Sequence, residues 1–358
     1  MTEGKLSAMD PGETDAMAPT ATGRDPSGLA ERILGIPAPL RGLDLLPPDQ
    51  PARPYPQFHS RRFNVFVRLL AFGTILIVGG IAVAFATLMV TSSLGEPAAE
   101  SLLGAFDWLR PVAAVGVAIA YWLVGRLVEQ RHPIFELAGS RAVRGLGTGL
   151  GLGVTLMATC ACLLAMLGVF RIEGFNPGYS PWMAVLGVGF SAAVTEEILF
   201  RGILFRLVEA GLGSWVAIAV SAVVFGASHL GNPEATVLGA VGIALEAGVL
   251  FAALYAFTRS LWVVIGLHFA WNVVQGPVLG IVVSGSSTTG AGFVRSSLVG
   301  PGWLSGGQFG IEASAITIVV LTALGVWVLS ELVRRGLIVR PCWVRRRLLA
   351  SSRPLDEA

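Results

Sequence analysis

Long runs of hydrophobic residues follow one another from residue 69 to residue 333, separated by shorter polar segments. A helix that spans a membrane needs about 20 apolar residues to cross a hydrocarbon core of about 30 Å. The runs that reach or approach this length predict spanning helices at 69–90, 111–128, 146–170, 182–208, 213–230, 235–257, 261–283 and 312–333. The pattern therefore predicts an all-α fold, a polytopic transmembrane helix bundle of about eight spans.

The segments around these runs divide the chain further. Residues 1–60 are rich in Pro, Gly, Ala and charge, and they cannot bury enough apolar surface to offset the entropy of ordering, which predicts a disordered cytosolic tail. We expect N-terminal membrane helices at 61–180, core helices at 181–284, an extracytoplasmic loop at 285–310, and a last membrane helix with a basic cytosolic tail at 311–358. The loop is rich in Ser, Thr and Gly, so it is either disordered or covers the functional site.

Arginines are concentrated in alternate connections between the runs. They precede the first run, flank the second connection and follow the last run, whereas the first connection holds Glu96, Glu100 and Asp107 against one arginine. Because cytoplasmic loops of membrane proteins carry the excess of Lys and Arg, both termini are predicted to lie in the cytoplasm.

The composition agrees with a membrane bundle and excludes other classes. Hydrophobic residues make up 54% of the 358 residues and charged residues 13%, whereas soluble domains carry about 25% charge. The net charge of +2 does not indicate a nucleic-acid partner, and the lipid bilayer is the expected partner. Cys160 and Cys162 point to different helix faces, as expected of small hydrophobes rather than a metal or redox pair. The arginine-rich, lysine-poor composition favours a bacterial plasma-membrane protein.

Ionisable residues inside predicted spans are costly and usually functional. Glu196 and Glu197 lie about fourteen residues into one apolar run, and Arg201 follows Glu197 at the spacing of a helical ion pair. Glu196 is rotated by about one hundred degrees from its neighbour, at 3.6 residues per turn. One carboxylate is thus predicted to be neutralised by Arg201 while the other faces a cavity.

Two further motifs lie in the following runs. Phe225 and His229 share a helix face near the end of one run, and His268 and Asn272 share a face one turn apart in another. An imidazole and a carboxamide can both donate hydrogen bonds and could together hold a developing oxyanion. The alternative for His229 is a hydrogen-bonded structural residue. For His268 and Asn272 it is a polar clamp between helices, which contributes about 0.6–2 kcal/mol in membranes.

Other ionisable residues are assigned less specific roles. Glu246 lies alone in its run, where it either lines the same cavity or pairs with Arg201, Arg206 or a histidine, and a structural role is favoured. Arg206, Glu209 and Arg259 lie at predicted cytosolic helix ends, so we expect solvated or snorkelling side chains.

The motifs Glu-Glu-x-x-x-Arg, Phe-x-x-x-His and His-x-x-x-Asn, in order on separate hydrophobic helices, resemble the signature of the intramembrane glutamic proteases. That family (CPBP) groups type II CAAX prenyl endopeptidases with bacterial bacteriocin-processing, or "Abi", membrane proteins. The resemblance covers residues 182 to about 284. It implies a membrane-embedded endopeptidase acting on a peptide or lipid-anchored protein, with a prenylated CAAX tail as one such substrate.

The resemblance also implies a role for each residue. Glu196 and His229 would bind and deprotonate a water, His268 and Asn272 would donate to the tetrahedral oxyanion, and Arg201 with Glu197 and Phe225 would support the site. No cofactor is expected. A zinc site from Glu196, His229 and His268 is the alternative, although the zincin pattern His-Glu-x-x-His is absent.

Two questions stay open at the level of the sequence, the function of the chain and the convergence of its two histidines. The chain is either an endopeptidase, a non-catalytic membrane scaffold or immunity factor of the same family, or a proton-coupled transporter. Counted from the predicted helix ends at 1.5 Å per residue, His229 and His268 differ in depth by over about 10 Å. They can meet only if their helices are tilted, displaced or begin later than predicted.

Overall fold

The computed structural model describes residues 96–128, 134–286 and 291–344 and the single positions Ser92 and Arg347, with the backbone alone for 96–108. Seven helices of this part of the chain are long and apolar enough to cross a membrane. The helices are α1 (Glu96–Leu123), α2 (Ala142–Met166), α3 (Trp182–Leu212), α4 (Ser214–Ser228), α5 (Val237–Thr258), α6 (Leu261–Val273), the short α7 (Gly302–Ser305) and α8 (Ala315–Arg334). Helices α1 and α6 continue into π-helical turns at Val124–Val128 and Val274–Val278.

The prediction of an all-α membrane bundle is confirmed. Seven of the eight predicted spans correspond to these helices, while the predicted span at 69–90 and the predicted tail at 1–60 lie outside the described residues. Several predicted ends were wrong, and α1 begins at Glu96 rather than 111. Helix α2 ends at Met166 rather than 170 because Gly168 adopts a φ of 73°, which terminates a helix without steric cost. The helix predicted to reach 283 ends at Val278, directly after Pro277.

A small antiparallel sheet joins two connections that the sequence analysis treated as loops. Strand β1 (Phe170–Phe175) pairs with β2 (Val294–Leu298), with Phe170 opposite Leu298 and Phe175 opposite Val294. The described part of the predicted loop at 285–310 is therefore ordered into β2, α7 and the turn Gly307–Phe309. Residues 287–290 lie outside the described part.

The two ends of the bundle are formed by different strands, turns and connections. The sheet end holds β1, β2, the turn after α4 and the segment after α6, where Asn232 donates to the carbonyl of Ser284. The opposite end, called the basic end, holds the α3–α4 and α5–α6 connections, where Arg141 donates to the carbonyl of Thr258. The chain after α8 also lies there, since the backbone N–H of Ser214 donates to Val339.

Three charged residues at the basic end are buried, so the expectation of solvated side chains was wrong for Arg206, Glu209 and Arg259. They are 7%, 0% and 7% exposed. Arg259 holds both carboxylate oxygens of Glu209, and Ser214 donates to the same carboxylate at 2.6 Å. Arg206 Nε donates to the carbonyl of Gly202. These partners replace water, which a buried charge otherwise requires.

Helix α6, which carries the third motif, packs backbone to backbone against α2. A Cβ atom added at Gly149 would lie 2.1 Å from the carbonyl oxygen of Val263, and one at Gly153 would lie 2.5 Å from that of Leu267. On α6, a Cβ atom at Gly266 would lie 2.7 Å from the carbonyl oxygen of Leu146. Small residues allow this close approach of helices in lipid. The glycines of α2 thereby fix the position of α6.

Candidate functional site

One cavity of about 620 Å³ is lined by all four residues that the sequence analysis proposed as the working site: Glu196, His229, His268 and Asn272. They come from α3, the turn after α4, and α6. The cavity extends from the middle of α3 to the connections at the sheet end, where Asn232 also lines it. The predicted difference in depth does not keep the histidines apart, since His229 and His268 also line a second, small cavity of about 20 Å³ together.

Glu197 forms the charged centre behind this cavity. Its Oε1 accepts from Arg201 Nη1 at 2.8 Å and from His268 Nδ1 at 2.9 Å. Both Glu197 and Arg201 have fully buried side chains. Arg201 also donates to the carbonyl of Ala247. The predicted ion pair between Glu197 and Arg201 is present, and it extends to a histidine that the sequence could not connect to it.

Helix α3 is irregular on both sides of the two glutamates. A π-helical stretch, Val185–Ser191, precedes them, and a second, Ile198–Phe205, follows them. A π-turn shifts the register of the backbone bonds and often lies at functional sites. In the first stretch the carbonyl of Val188 accepts a hydrogen bond from Asn272 Nδ2 at 2.9 Å. The irregular backbone of α3 therefore positions a side chain of α6.

The ring orientation of His229 follows from its partner. Its Nδ1 lies 2.8 Å from the carbonyl oxygen of Phe225. A carbonyl can only accept, so Nδ1 carries the hydrogen and Nε2 of the neutral ring keeps a lone pair. His229 is thus arranged as a hydrogen-bond acceptor, and a base, through Nε2.

Phe225 lies between the two histidines and the buried arginine. Its ring centroid is 5.0 Å from that of His229 and 6.1 Å from that of His268. The guanidinium carbon of Arg201 lies 4.5 Å from the Phe225 centroid. This distance suits a cation–π contact. Phe225 therefore fixes the histidines relative to the Glu197–Arg201 pair.

His268 and Asn272 present donor groups one turn apart. Because Glu197 accepts from His268 Nδ1, that nitrogen carries a hydrogen, and the ring can donate from Nε2 as well when it is the imidazolium. Asn272 uses one of its two amide hydrogens on Val188, which leaves the second for another acceptor.

Glu312 was not among the residues predicted from the sequence. This carboxylate is 4% exposed, and it accepts from the indole of Trp271 at 3.0 Å and from the backbone N–H of Ser284. It lines a small cavity of about 20 Å³ with His229, His268 and Asn272. Glu312 lies at the predicted start of the last span, and nothing in the sequence around it indicates a contact with Trp271 or Ser284. These contacts depend on how the segment after α6 folds back.

Arg110 was also missed, because the sequence analysis counted it only as a loop charge. It is the only Lys or Arg among the described residues that line the large cavity, and it lies at the rim near Gly187.

Glu246 does not line that cavity. Its side chain is buried at 1% exposure and its Oε2 has no hydrogen-bond partner, so neither alternative offered for it explains its position.

The histidines and glutamates of the site are residue types that also bind zinc. Within the described ranges, no group of three or more His, Cys, Asp or Glu side chains is arranged to hold a metal ion. The four cavity residues offer carboxylate, imidazole and amide groups, which suffice for acid–base chemistry and hydrogen bonding.

Residues 178–274 match the family model described as "Type II CAAX prenyl endopeptidase Rce1-like". The match covers under a third of the chain and includes all three motifs. The resemblance drawn from those motifs is thereby confirmed for this region. A search of curated proteins and a search of solved structures found no match. The chain is a multi-pass membrane protein whose core helices are similar to a CAAX-type membrane protease family, and the role of each site residue stays a prediction.

Proposed function

We propose that this protein is an intramembrane glutamic endopeptidase that hydrolyses a peptide bond of a membrane-associated peptide or a lipid-anchored protein. The observation that carries the proposal is the shared cavity, since residues from α3, the turn after α4 and α6 line it in the combination that the motifs require. The similarity of residues 178–274 to a protease family supports the same reaction class. A bacterial plasma membrane is the expected location.

Glu196 and His229 activate the water in this mechanism. The Glu196 carboxylate takes a proton from the water, and His229 holds the water through its Nε2 lone pair while Nδ1 is committed to Phe225. Proton transfer by a positioned side chain contributes about 10²–10⁴-fold to a rate. Support for Glu196 as the base comes from its place on the cavity wall, since Glu197 is already occupied by Arg201 and His268.

The oxygen of the activated water bonds to the peptide carbonyl carbon, and the carbonyl oxygen becomes an oxyanion. His268 Nε2–H and the second amide hydrogen of Asn272 donate to it. When the tetrahedral intermediate collapses, the carbon–nitrogen bond breaks and Glu196 returns its proton to the leaving amine. The hydroxyl group of the water is thereby added to the acyl carbon and its other hydrogen to the amine, and Glu196 is again a carboxylate.

Assay of the purified protein in liposomes against membrane-anchored reporter peptides tests the proposal. Glu196→Gln removes the base but keeps the size of the side chain, so cleavage should fall at least 10²-fold. Glu234→Gln, at an exposed glutamate outside the cavity lining, is the matched control and should keep full activity. Equal cleavage by wild type and Glu196→Gln overturns the proposal.

Two other functions are separated by further measurements. If Glu196→Gln restores a deletion phenotype completely, the protein acts as a scaffold or immunity factor rather than a protease. Protonophore-sensitive solute uptake by reconstituted vesicles would instead indicate a transporter.

A further inference from the structure

The two ends of the bundle differ in charge. Of the thirteen arginines in the part of the chain that the structure describes, one, Arg201, lies in the middle of a span, and three, Arg110, Arg171 and Arg295, lie at the sheet end. The other nine lie at the basic end: Arg126, Arg141, Arg144, Arg206, Arg259, Arg334, Arg335, Arg340 and Arg347. The excess of basic residues near helix ends marks the cytoplasmic side of a membrane protein. The sheet end is therefore assigned to the opposite side.

The site cavity reaches the sheet end. Its rim includes exposed Ser228 at the end of α4, exposed Pro233 in the turn that follows, and Ser284 and Ser286 after α6. None of the described residues that line it lies in a connection at the basic end. Since Glu196 lies near the middle of α3, the cavity leads from mid-membrane to the sheet end.

The route from the basic end is closed by buried polar contacts. Glu209, Arg259 and Ser214 form one hydrogen-bonded group there, and Ser214 is in turn bonded to the backbone of Val339. The Tyr121 hydroxyl donates to Glu136 and lies 3.0 Å from the carbonyl oxygen of Gly202 in the same half of the bundle. A peptide that entered from this end would break these bonds and leave the charges of Glu209 and Arg259 buried without partners, which is strongly unfavourable.

We infer that the cavity opens to the extracytoplasmic face of the membrane, and that its substrate is the membrane-anchored segment of an exported polypeptide. A prenylated tail held on the cytoplasmic leaflet would face the closed, basic end. The assignment of a substrate rests on the proposed function. The orientation of the cavity rests only on the charge distribution and the cavity geometry.

Cysteine labelling in intact spheroplasts tests the orientation, because Cys342 is a native thiol at the basic end. One variant keeps Cys342 and carries Cys160→Ala and Cys162→Ala. The other adds Cys342→Ser and Pro233→Cys at the cavity rim. A membrane-impermeant maleimide should modify the Pro233→Cys variant in intact spheroplasts and the Cys342 variant only after permeabilisation. The reverse pattern overturns the inference, and Ser286→Cys repeats the rim test at a second position.

A pair of reporters tests the substrate class separately. One cleavable segment is anchored to the membrane on the outer side and the same segment is anchored on the cytoplasmic side of the same cells. We expect cleavage of the outer reporter at least 10-fold above that of the cytoplasmic one. Preferential cleavage of the cytoplasmic reporter overturns the inference. If neither reporter is cleaved while the labelling is as expected, the proposed endopeptidase fails and the orientation stands.

Discussion

The Nδ1 atom of His268 lies 2.9 Å from the Oε1 atom of Glu197, and the same oxygen accepts a hydrogen bond from Arg201. One fully buried carboxylate thus connects the first motif to the third. Glu196, its neighbour in sequence, is left on the cavity wall. The division of labour between two adjacent glutamates follows from this contact: one holds the site together and the other is available for chemistry.

Replacing Glu197 should therefore damage stability more than replacing Glu196. Glu197→Gln leaves the buried Arg201 charge without a counter-charge, at an expected cost of about 3–5 kcal/mol. Glu196→Gln should change stability by less than about 1 kcal/mol, because Glu196 has no ion-pair role behind the cavity. Thermal unfolding in detergent micelles measures both. The double variant Glu197→Gln/Arg201→Gln should recover part of the loss, and an equal loss in all variants would contradict the charge argument.

The three motifs and the helix positions could be predicted from the sequence because each is a local pattern. Apolar runs have a length that the bilayer sets, and a residue four positions from another shares its helix face. The Glu197–Arg201 pair is of this kind. The Glu197–His268 contact is not, since it depends on how α3 and α6 pack, and neither residue type alone indicates the other.

The sheet and Glu312 could not be predicted for a related reason. Strand β1 is six residues long and its partner lies more than a hundred residues later in the chain, so no local pattern pairs them.

The burial of Arg259 was misjudged because an arginine at a helix end usually reaches water. Here Glu209 supplies a buried partner, which the sequence spacing of the two residues does not reveal.

The close contact between α2 and α6 predicts a sharp difference between neighbouring glycines. Gly149→Ala would place its Cβ 2.1 Å from the carbonyl oxygen of Val263, so the helices must separate, at an expected cost of about 1–3 kcal/mol. Gly151→Ala is the matched control, because no atom lies within 4 Å of its Cβ position. Thermal unfolding and cleavage rate should both fall for Gly149→Ala alone. Similar behaviour of the two variants would contradict the proposed role of α2 in positioning α6.

The buried pair at the basic end should contribute more to stability than a nearby pair in which the arginine is exposed. Glu209→Gln leaves Arg259 buried without its counter-charge and should cost about 3–5 kcal/mol. Glu331 and Arg334 form the comparison pair, in which the Arg334 side chain is 68% exposed. Arg334→Gln should cost at most about 1 kcal/mol. Equal losses in the unfolding free energy of the two variants would contradict the expectation that the buried pair contributes more to stability.

Asn272 should affect turnover rather than binding. Asn272→Ala removes one donor to the oxyanion, which lowers kcat by about 10²–10³-fold with little change in KM. Asn232→Ala is the control, since Asn232 lines the same cavity but donates to the carbonyl of Ser284. We expect it to change kcat by less than about 10-fold. A rise in KM with unchanged kcat for Asn272→Ala would assign this residue to substrate binding instead.

Glu196 and His229 act on one water in this account, so their losses should not add. Each single variant, Glu196→Ala and His229→Ala, should lower kcat by about 10²–10⁴-fold. The kcat of the double variant should be little lower than that of the less active single variant, because the losses at residues that act as a unit do not multiply. Steady-state kinetics of the three proteins checks this, and a double-variant loss equal to the product of the single losses would contradict a shared step.

The central claim, that this membrane protein cleaves peptide bonds with Glu196 as its base, is tested most directly by labelling new protein N-termini in membranes. Membranes from cells that express wild type are compared with membranes that contain Glu196→Ala at equal abundance. The account predicts a set of N-termini that is present with wild type and absent with the variant, from exported membrane-anchored proteins. Identical sets of N-termini in the two samples would contradict it.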